Sequence, residues 1–151
     1  MNKSGVPGGA ENNAYNISIE DQGAPRSSDI RVEGNLVEDN PYWHGLDTHG
    51  GLRIAFVNNT IRRCSRAVFL TSSGASGAHA TDITVAGNSI LSPAPVTFNL
   101  VPITLYAADG VTFTGNIISG WGSASPTSAK PYYDYGGLST GLVASGNTVT
   151  P

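Results

Sequence analysis

One short phrase recurs five times along the chain, and its regular return is the strongest constraint on the fold. Each copy alternates apolar and mostly polar residues, ends in Gly-Asn or once in Asn-Asn, and has an apolar residue two positions later. Alternation with a period of two indicates half-buried β-strand. Strands that return at intervals of 24, 29, 28 and 31 residues predict a β-solenoid. The asparagines that end the copies are Asn35, Asn59, Asn88, Asn116 and Asn147.

The Gly-Asn step explains how such a strand turns. Glycine and asparagine enter the left-handed backbone region most easily, so the chain can bend there and continue in a new direction. If every turn of the coil bends at the same point, the asparagines stack about 4.8 Å apart. Stacked amides hydrogen-bond along their column, so the sequence predicts a buried asparagine ladder whose members satisfy one another.

Each repeat carries two further strands. A second strand follows each asparagine, at 36–38, 60–62, 89–91, 117–119 and 148–150, and a third follows a variable gap, at 45–48, 67–70 and 103–106, with 16–19 as its counterpart on an earlier turn. This organisation resembles the right-handed parallel β-helix of the pectate-lyase-like superfamily over residues 15–151. The resemblance implies an all-β fold of about five to six rungs, with three short strands each and loop insertions, in a single domain over 1–151.

The remaining segments are expected to be loops. Insertions between strands, at 72–81, 92–102 and 120–135, project on one face of a solenoid, often the binding face. Aromatic residues of the last insertion (Trp121, Tyr132, Tyr133 and Tyr135) either stack on sugar rings or pack the loop onto the coil. Residues 1–14 are predicted to be an irregular segment. The lack of an obvious cap predicts that the chain is a fragment of a longer protein or part of a homo-oligomer, such as a trimer.

Composition excludes several classes of function. Only 13% of residues are charged and the net charge is −3, which gives no attraction to nucleic acid or to an anionic membrane. The single cysteine, Cys64, excludes an internal disulfide and is predicted to be buried. No aspartate cluster is typical of a calcium loop, so no cofactor is predicted, although calcium held by backbone oxygens would leave no signal. A cluster of Arg62, Arg63 and Arg66 is a candidate for holding an acidic ligand.

The chemically capable side chains concentrate in residues 42–51. With Leu46 facing inward, alternation turns Asp47 and His49 outward, roughly 6.8 Å apart along the strand. Equal spacing from the preceding asparagines predicts that Thr71 lies beside Asp47 and Ser73 beside His49 on the next turn. Glu20 and Tyr106 are expected on the same face. Strict alternation turns His44 inward, unless the strand begins after Gly45.

The segment His44-Gly-Leu-Asp47-Thr-His49-Gly resembles the mannuronan C5-epimerase signature Tyr-Gly-Phe-Asp-Pro-His-Asp. Asp47 matches the first Asp of the signature and His49 its His, whereas His44, Thr48 and Gly50 replace the Tyr, the Pro and the second Asp. The resemblance implies a side chain that stabilises a uronate carboxylate, and groups that remove and return the proton at C5. Histidine suits that task because its pKa lies near neutral pH.

Two hypotheses follow. In the first, the protein is a carbohydrate-active β-helix that binds an acidic polysaccharide on a lateral groove and acts as a lyase, epimerase or hydrolase. The catalytic residues would be His49, Asp47 and His44, the chain would be held by Trp43, Arg66, Tyr106 and Ser73, and no metal is predicted. In the second, Asp47 and His49 are a surface pair on a non-catalytic structural or host-recognition module of a phage tail spike or fibre. No secretory signal is visible, and an extracellular or virion-associated location is expected.

Overall fold

The computed structural model describes residues 15–91, 101–122 and 126–151. Within these ranges the chain is all-β, with no α-helix and so with no helix suited to crossing a membrane. The predicted segment 1–14 and most of the insertion 92–102 lie outside them. The strands are β1 Ile17–Glu20, β2 Arg31–Glu33, β3 Leu36–His49, β4 Ala55–Val57, β5 Thr60–Thr71, β6 Ala80–Thr81, β7 Thr84–Ala86, β8 Ser89–Leu91, β9 Val101–Leu105, β10 Ala108–Asp109, β11 Thr112–Thr114, β12 Ile117–Ser119, β13 Tyr133–Asp134, β14 Val143–Ser145 and β15 Thr148–Thr150.

The strands pair in parallel with the equivalent strands of neighbouring repeats. One sheet has the order β2-β4-β7-β11-β14. A larger sheet runs β1-β3-β5-β8-β12-β15, with β9 paired to β5 and β13 paired to β9. A third, two-stranded sheet joins β6 and β10. Parallel pairing between successive repeats is consistent with the predicted β-solenoid.

The predicted asparagine ladder is present. The Oδ1 atom of Asn116 accepts hydrogen bonds from the backbone N–H and the Nδ2 of Asn88, both at 3.0 Å. Asn116 in turn donates to Asn147 from the same two atoms, and its Nδ2 also donates to the Val85 carbonyl at 2.8 Å. The same pattern links Asn35, Asn59 and Asn88. Four of the five amides are buried because each is satisfied by its neighbours.

Left-handed residues bend the chain before each ladder asparagine, as predicted. They are Gly34, Asn58, Gly87, Gly115 and Gly146, with φ between 54° and 68°. A second left-handed set, which the sequence analysis missed, lies five positions earlier: Asp29, Arg53, Asp82, Gly110 and Gly141. The chain therefore bends on both sides of each three-residue strand of the five-stranded sheet.

The apolar core follows from the in-register pairing. Phe56, Val85 and Phe113 occupy the same position on successive strands and are fully buried. The second strands contribute an equivalent column that contains Ile61, Ile90 and Ile118. Cys64 is buried as predicted, and burial raises the pKa of its thiol to about 12.

The second and third strands of two repeats are fused, which differs from the prediction of three separate strands. Asp39 and Arg63 adopt left-handed backbone inside β3 and β5, yet pairing resumes directly afterwards between Asn40 and Cys64. Three residues then separate Asn40 from His44 on β3, whereas only one residue separates Cys64 from Arg66 on β5. The two extra residues form a bulge in β3, and such bulges bend a strand and reorient its side chains.

The bulge shifts the register of the candidate site. Asp47 pairs with Phe69 and His49 pairs with Thr71, so the predicted neighbours of Asp47 and His49 were wrong by two residues. Equal spacing from the asparagines gave the wrong cross-strand neighbours because two additional residues of β3 lie in the bulge. On the other side, Glu20 was expected only on the same face, and the register pairs it with His49.

Two aromatic residues of the last insertion pack the loop onto the body of the protein, which is one of the two predicted roles. Trp121 is buried in the core, and Tyr132 stacks on Phe113 with ring centroids 4.7 Å apart. Tyr135 remains 42% exposed and stacks on Tyr106 at 5.7 Å. Packing against the core therefore accounts for Trp121 and Tyr132, whereas Tyr135 remains on the surface.

Candidate functional site

Two adjoining pockets lie on the wall formed by β1, the C-terminal halves of β3 and β5, and β9. They have volumes of about 480 Å³ and about 370 Å³. The larger is lined chiefly by Trp43, His44, Arg66, Phe69 and Tyr106, and the smaller by Glu20, Asp21, Gln22 and Ala75. Both are lined by Tyr15, His49 and Gly74, so they form one groove with His49 at the junction.

At the centre of the groove wall, Asp47 lies between two histidines. Its Oδ2 contacts His44 Nδ1, and its Oδ1 lies 3.0 Å from His49 Nε2, off the alignment of a regular hydrogen bond. The Asp47 side chain is 0% exposed, whereas that of His49 is 27% exposed. Because Nε2 of His49 faces Asp47, Nδ1 is the ring nitrogen left to face a ligand. The structure thus brings together the three residues predicted to be catalytic.

His44 faces away from the apolar core, contrary to strict alternation. A Cβ added to Gly45 would meet Ala67 O at 2.8 Å and Cys64 Sγ at 3.2 Å, so Gly45 faces the core, and so does the buried Leu46. Two consecutive residues on the same side break the alternation and turn His44 toward Asp47. The imidazole is stacked between Phe69, at 4.1 Å, and Trp43, at 4.7 Å, and is only 1% exposed.

The hydrogen bonds of His44 determine its protonation state. Arg66 Nη1 donates to His44 Nε2 at 3.0 Å, so Nε2 is an acceptor and the ring proton is on Nδ1, where it is donated to Asp47. Burial also lowers the pKa of His44, which favours the neutral ring. Conversely, the Asp47 carboxylate raises the pKa of His49. The pair of histidines is therefore divided into a neutral, buried ring and an exposed ring that gains a proton easily.

Arg66 is distinguished from the other arginines by its surroundings. Four of the six arginines form ion pairs with carboxylates, namely Arg31, Arg53, Arg62 and Arg63, and Arg26 donates to backbone carbonyls. Among the described residues, no carboxylate pairs with Arg66, and its Nε is buried without a hydrogen-bond partner. Its guanidinium lies over Trp43 and Phe69, 5.3 Å and 5.5 Å from the ring centroids.

The predicted arginine cluster is therefore not a single ligand site. Arg62 and Arg63 are held by Glu38 and Asp39 at 2.5–2.6 Å. Only Arg66 reaches the groove. An anionic ligand in the larger pocket would meet one guanidinium that has no carboxylate partner among the described residues, and the protonatable His49 imidazole lines the same pocket; guanidinium groups bind carboxylates well.

The other predicted binding residues differ in placement. Trp43 and Tyr106 line the groove, and Tyr106 is 49% exposed. Ser73 does not line it: its buried hydroxyl donates to the Asp21 carbonyl at 2.8 Å and accepts from the backbone N–H groups of the following turn. Ser73 holds the loop whose Gly74 borders both pockets.

Two groove residues were missed by the sequence analysis. Tyr15 lines both pockets, 5.7 Å from the His49 ring between centroids, and burial raises the pKa of its phenol. The sequence analysis gave Tyr15 no role in the site, although it lies two residues before β1. Phe69 was placed on the third strand without a neighbour, and only the register reveals that it pairs with Asp47.

No family model, curated protein or solved structure matches this chain. In the described parts of the chain, no three His, Cys, Asp or Glu side chains are arranged to hold a metal ion. Evidence about function therefore comes from the geometry of the groove.

We expect Asp47→Asn to lower the pKa of His49, because the carboxylate is the main group that favours the imidazolium. The stability contributed by the Asp47–His49 pair is present below pH 6.5 and is lost as the pH rises through the raised pKa of His49. Histidine titration by NMR checks the shift, with His79, which pairs with Asp109 outside the groove, as the internal control. An unchanged His49 titration would contradict this account of the pair.

Proposed function

We propose that the chain is a right-handed parallel β-helix of about five to six rungs whose groove binds an acidic polysaccharide and moves the proton next to a uronate carboxylate, to epimerise or cleave the polymer. The observation that carries the proposal is the uncompensated Arg66 guanidinium beside the Asp47–His49 pair. An extracellular or virion-associated location fits such a substrate.

Arg66 would bind the uronate carboxylate. Its guanidinium can form paired hydrogen bonds with a carboxylate, and removing water from such a site strengthens them. Neutralising the carboxylate also makes the neighbouring C–H more acidic, because negative charge moves onto the carboxylate as the proton leaves. Arg66 would therefore supply both binding and transition-state stabilisation.

His49 would carry the proton. Its Nδ1 side faces the groove, and the buried Asp47 stabilises the imidazolium that forms when the ring takes a proton. Tyr15, whose pKa is raised by burial, lines the same pocket with its ring centroid 5.7 Å from that of His49, and would be the second proton carrier. Both ring nitrogens of His44 are occupied, so His44 acts through Asp47 as a positioning residue.

Hydrolysis is less well supported than proton transfer. Glycoside hydrolysis generally needs two carboxyl groups that flank the scissile bond. Asp47 is fully buried with both oxygens directed at histidines, and Asp21 is buried and bonded to Gly23 and Ser76. Among the described residues, Glu20 is the one partly exposed carboxylate that lines the groove.

The test is proton exchange at C5 in heavy water. A panel of uronate-containing polymers, including capsular polysaccharides, is incubated with the protein and followed by NMR. Loss of the C5 proton signal, with inversion or with a new double bond, supports the proposal. Binding without any exchange across the panel would refute the catalytic part.

We expect Arg66→Gln to weaken binding of uronate oligosaccharides by about 10- to 100-fold, because a hydrogen bond to a charged group is worth about 1.5–3 kcal/mol. Binding of neutral oligosaccharides should change little. Arg62→Gln is the matched control, since it removes the same charge from an ion pair outside the groove. Calorimetry at two salt concentrations checks the prediction, and equal losses in the two variants would contradict it.

The alternative is a non-catalytic host-recognition module of a phage tail spike or fibre, assembled as a trimer. In its favour, the large aliphatic side chains of Leu36, Ile117, Leu138 and Val143 are each more than half exposed, and burying them against a neighbouring subunit would remove apolar surface from water. This alternative predicts a stable trimer by light scattering, and polysaccharide binding without C5 exchange.

A further inference from the structure

The charge of the groove changes along its length. At one end, the smaller pocket is lined by Glu20 and Asp21. At the centre lie His49 and Arg66. Beyond them the rings of Phe69, Tyr106 and Tyr135 follow one another, with centroids 6.1 Å and 5.7 Å apart. The groove thus passes from an acidic end through a cationic centre to an uncharged aromatic end.

Glu20 retains its charge toward the groove. Its carboxylate accepts hydrogen bonds from Gln22 Nε2 at 2.6 Å and from Ser18 Oγ at 3.3 Å, and both donors are neutral. In the described residues it has no ion-pair partner. Its position is directly beside His49 on the neighbouring strand, so a sugar that extends from His49 toward β1 meets this carboxylate.

The described part of the groove offers cations for one acidic group. Among the described residues that line the two pockets, His49 and Arg66 are the basic side chains, apart from the neutral His44. Lys130 lies over Tyr132 in a separate pocket. A second uronate would therefore meet Glu20 on one side or only aromatic rings on the other.

We propose that the groove selects a heteropolysaccharide in which an acidic sugar is flanked by uncharged sugars, and that Glu20 is the residue that disfavours consecutive uronates. This inference rests on the proposed function, because Arg66 must hold the single carboxylate. The exposed Tyr106–Tyr135 pair suits the apolar face of a neutral sugar. On the opposite side, the Glu20 carboxylate can accept hydrogen bonds from sugar hydroxyls but repels a second carboxylate.

The test compares two oligosaccharides of equal length, one composed only of uronates and one that alternates uronate with neutral sugar. We expect the wild-type protein to bind the alternating chain at least about tenfold more tightly. Glu20→Gln should reduce that preference by about three- to tenfold, mainly through tighter binding of the all-uronate chain, and more so at low salt. Asp82→Asn is the matched control, because it removes one carboxylate that does not line either pocket.

Calorimetry measures the affinities, and NMR of the recovered ligand measures how much of it was converted during the titration. The inference is supported if the wild-type protein prefers the alternating chain and if this preference is smaller in Glu20→Gln but unchanged in Asp82→Asn. Equal or tighter binding of the all-uronate chain, with both ligands lost in Arg66→Gln, overturns the inference and leaves the proposed function standing. If Arg66→Gln binds both ligands as the wild type does, the proposed function fails as well.

Discussion

His49→Gln is expected to reduce the rate of C5 proton exchange by about 10²- to 10⁴-fold, which is the usual contribution of a positioned acid–base group. Glutamine is similar in size and can still contact the buried Asp47, but it cannot take up a proton. Because His49 is the exposed member of the Asp47-centred cluster, its loss leaves the carboxylate in place and removes the proton carrier. Exchange followed by NMR under single-turnover conditions measures the effect.

The matched control is His79→Gln. His79 also pairs with an aspartate, with its Nδ1 2.8 Å from Asp109 Oδ2, but it does not line the groove. We expect the His79→Gln variant to exchange the C5 proton at the wild-type rate. The pH profile adds an independent readout: a limb assigned to His49 should lie above 6.5 and move to lower pH in Asp47→Asn. Wild-type activity in His49→Gln would remove His49 from the mechanism.

Asn116→Ala is expected to lower the free energy of unfolding by about 3–5 kcal/mol, because several buried polar groups lose a partner at once. The backbone N–H and Nδ2 of Asn88 lose their shared acceptor, and the Val85 carbonyl loses a donor. Asn116 is fully buried, so water cannot readily replace these bonds. Urea denaturation measures the change.

Asn35→Ala provides the comparison within the same ladder. Asn35 is exposed, and its side chain donates to Asn59 Oδ1 and to the Glu33 carbonyl. Because water can reach this end, we expect a loss below about 1 kcal/mol. Similar losses in Asn35→Ala and Asn116→Ala would show that ladder burial does not stabilise the fold in the way described.

Much of the fold was predictable because its signals are local. The side-chain period of two and the left-handed preference of glycine and asparagine act within a few residues, so the ladder could be located without knowing any distant contact. The second set of bends had a weaker signal. Gly110 and Gly141 lie five positions before the glycines that precede the last two ladder asparagines. The equivalent positions of the other repeats are occupied by Asp29, Arg53 and Asp82, and these residue types do not indicate a bend as clearly as glycine does.

The candidate site was predictable only in part. Alternation placed Asp47 and His49 on one face and Glu20 on that same face, whereas the pairing of Glu20 with His49 comes from the structure. Neighbours on the following strand were wrong because the bulge between Asn40 and His44 displaces the register by two residues. The stack of Trp43, His44 and Phe69 depends on that displacement.

Local signals in the sequence are enough to predict the parallel β architecture and the asparagine column, because every repeat contains the same alternation and the same bend. Which side chains share the groove depends on contacts between residues that are distant in the sequence. Among the described residues no carboxylate pairs with Arg66, because its partner on β3 is His44, whereas Arg62 and Arg63 pair with Glu38 and Asp39, which lie 24 or 25 residues away along the chain. His44 turns toward Asp47 because Gly45 and Leu46 both face the core. Pairings between residues so far apart in sequence depend on insertion lengths and bulges, which no local preference encodes.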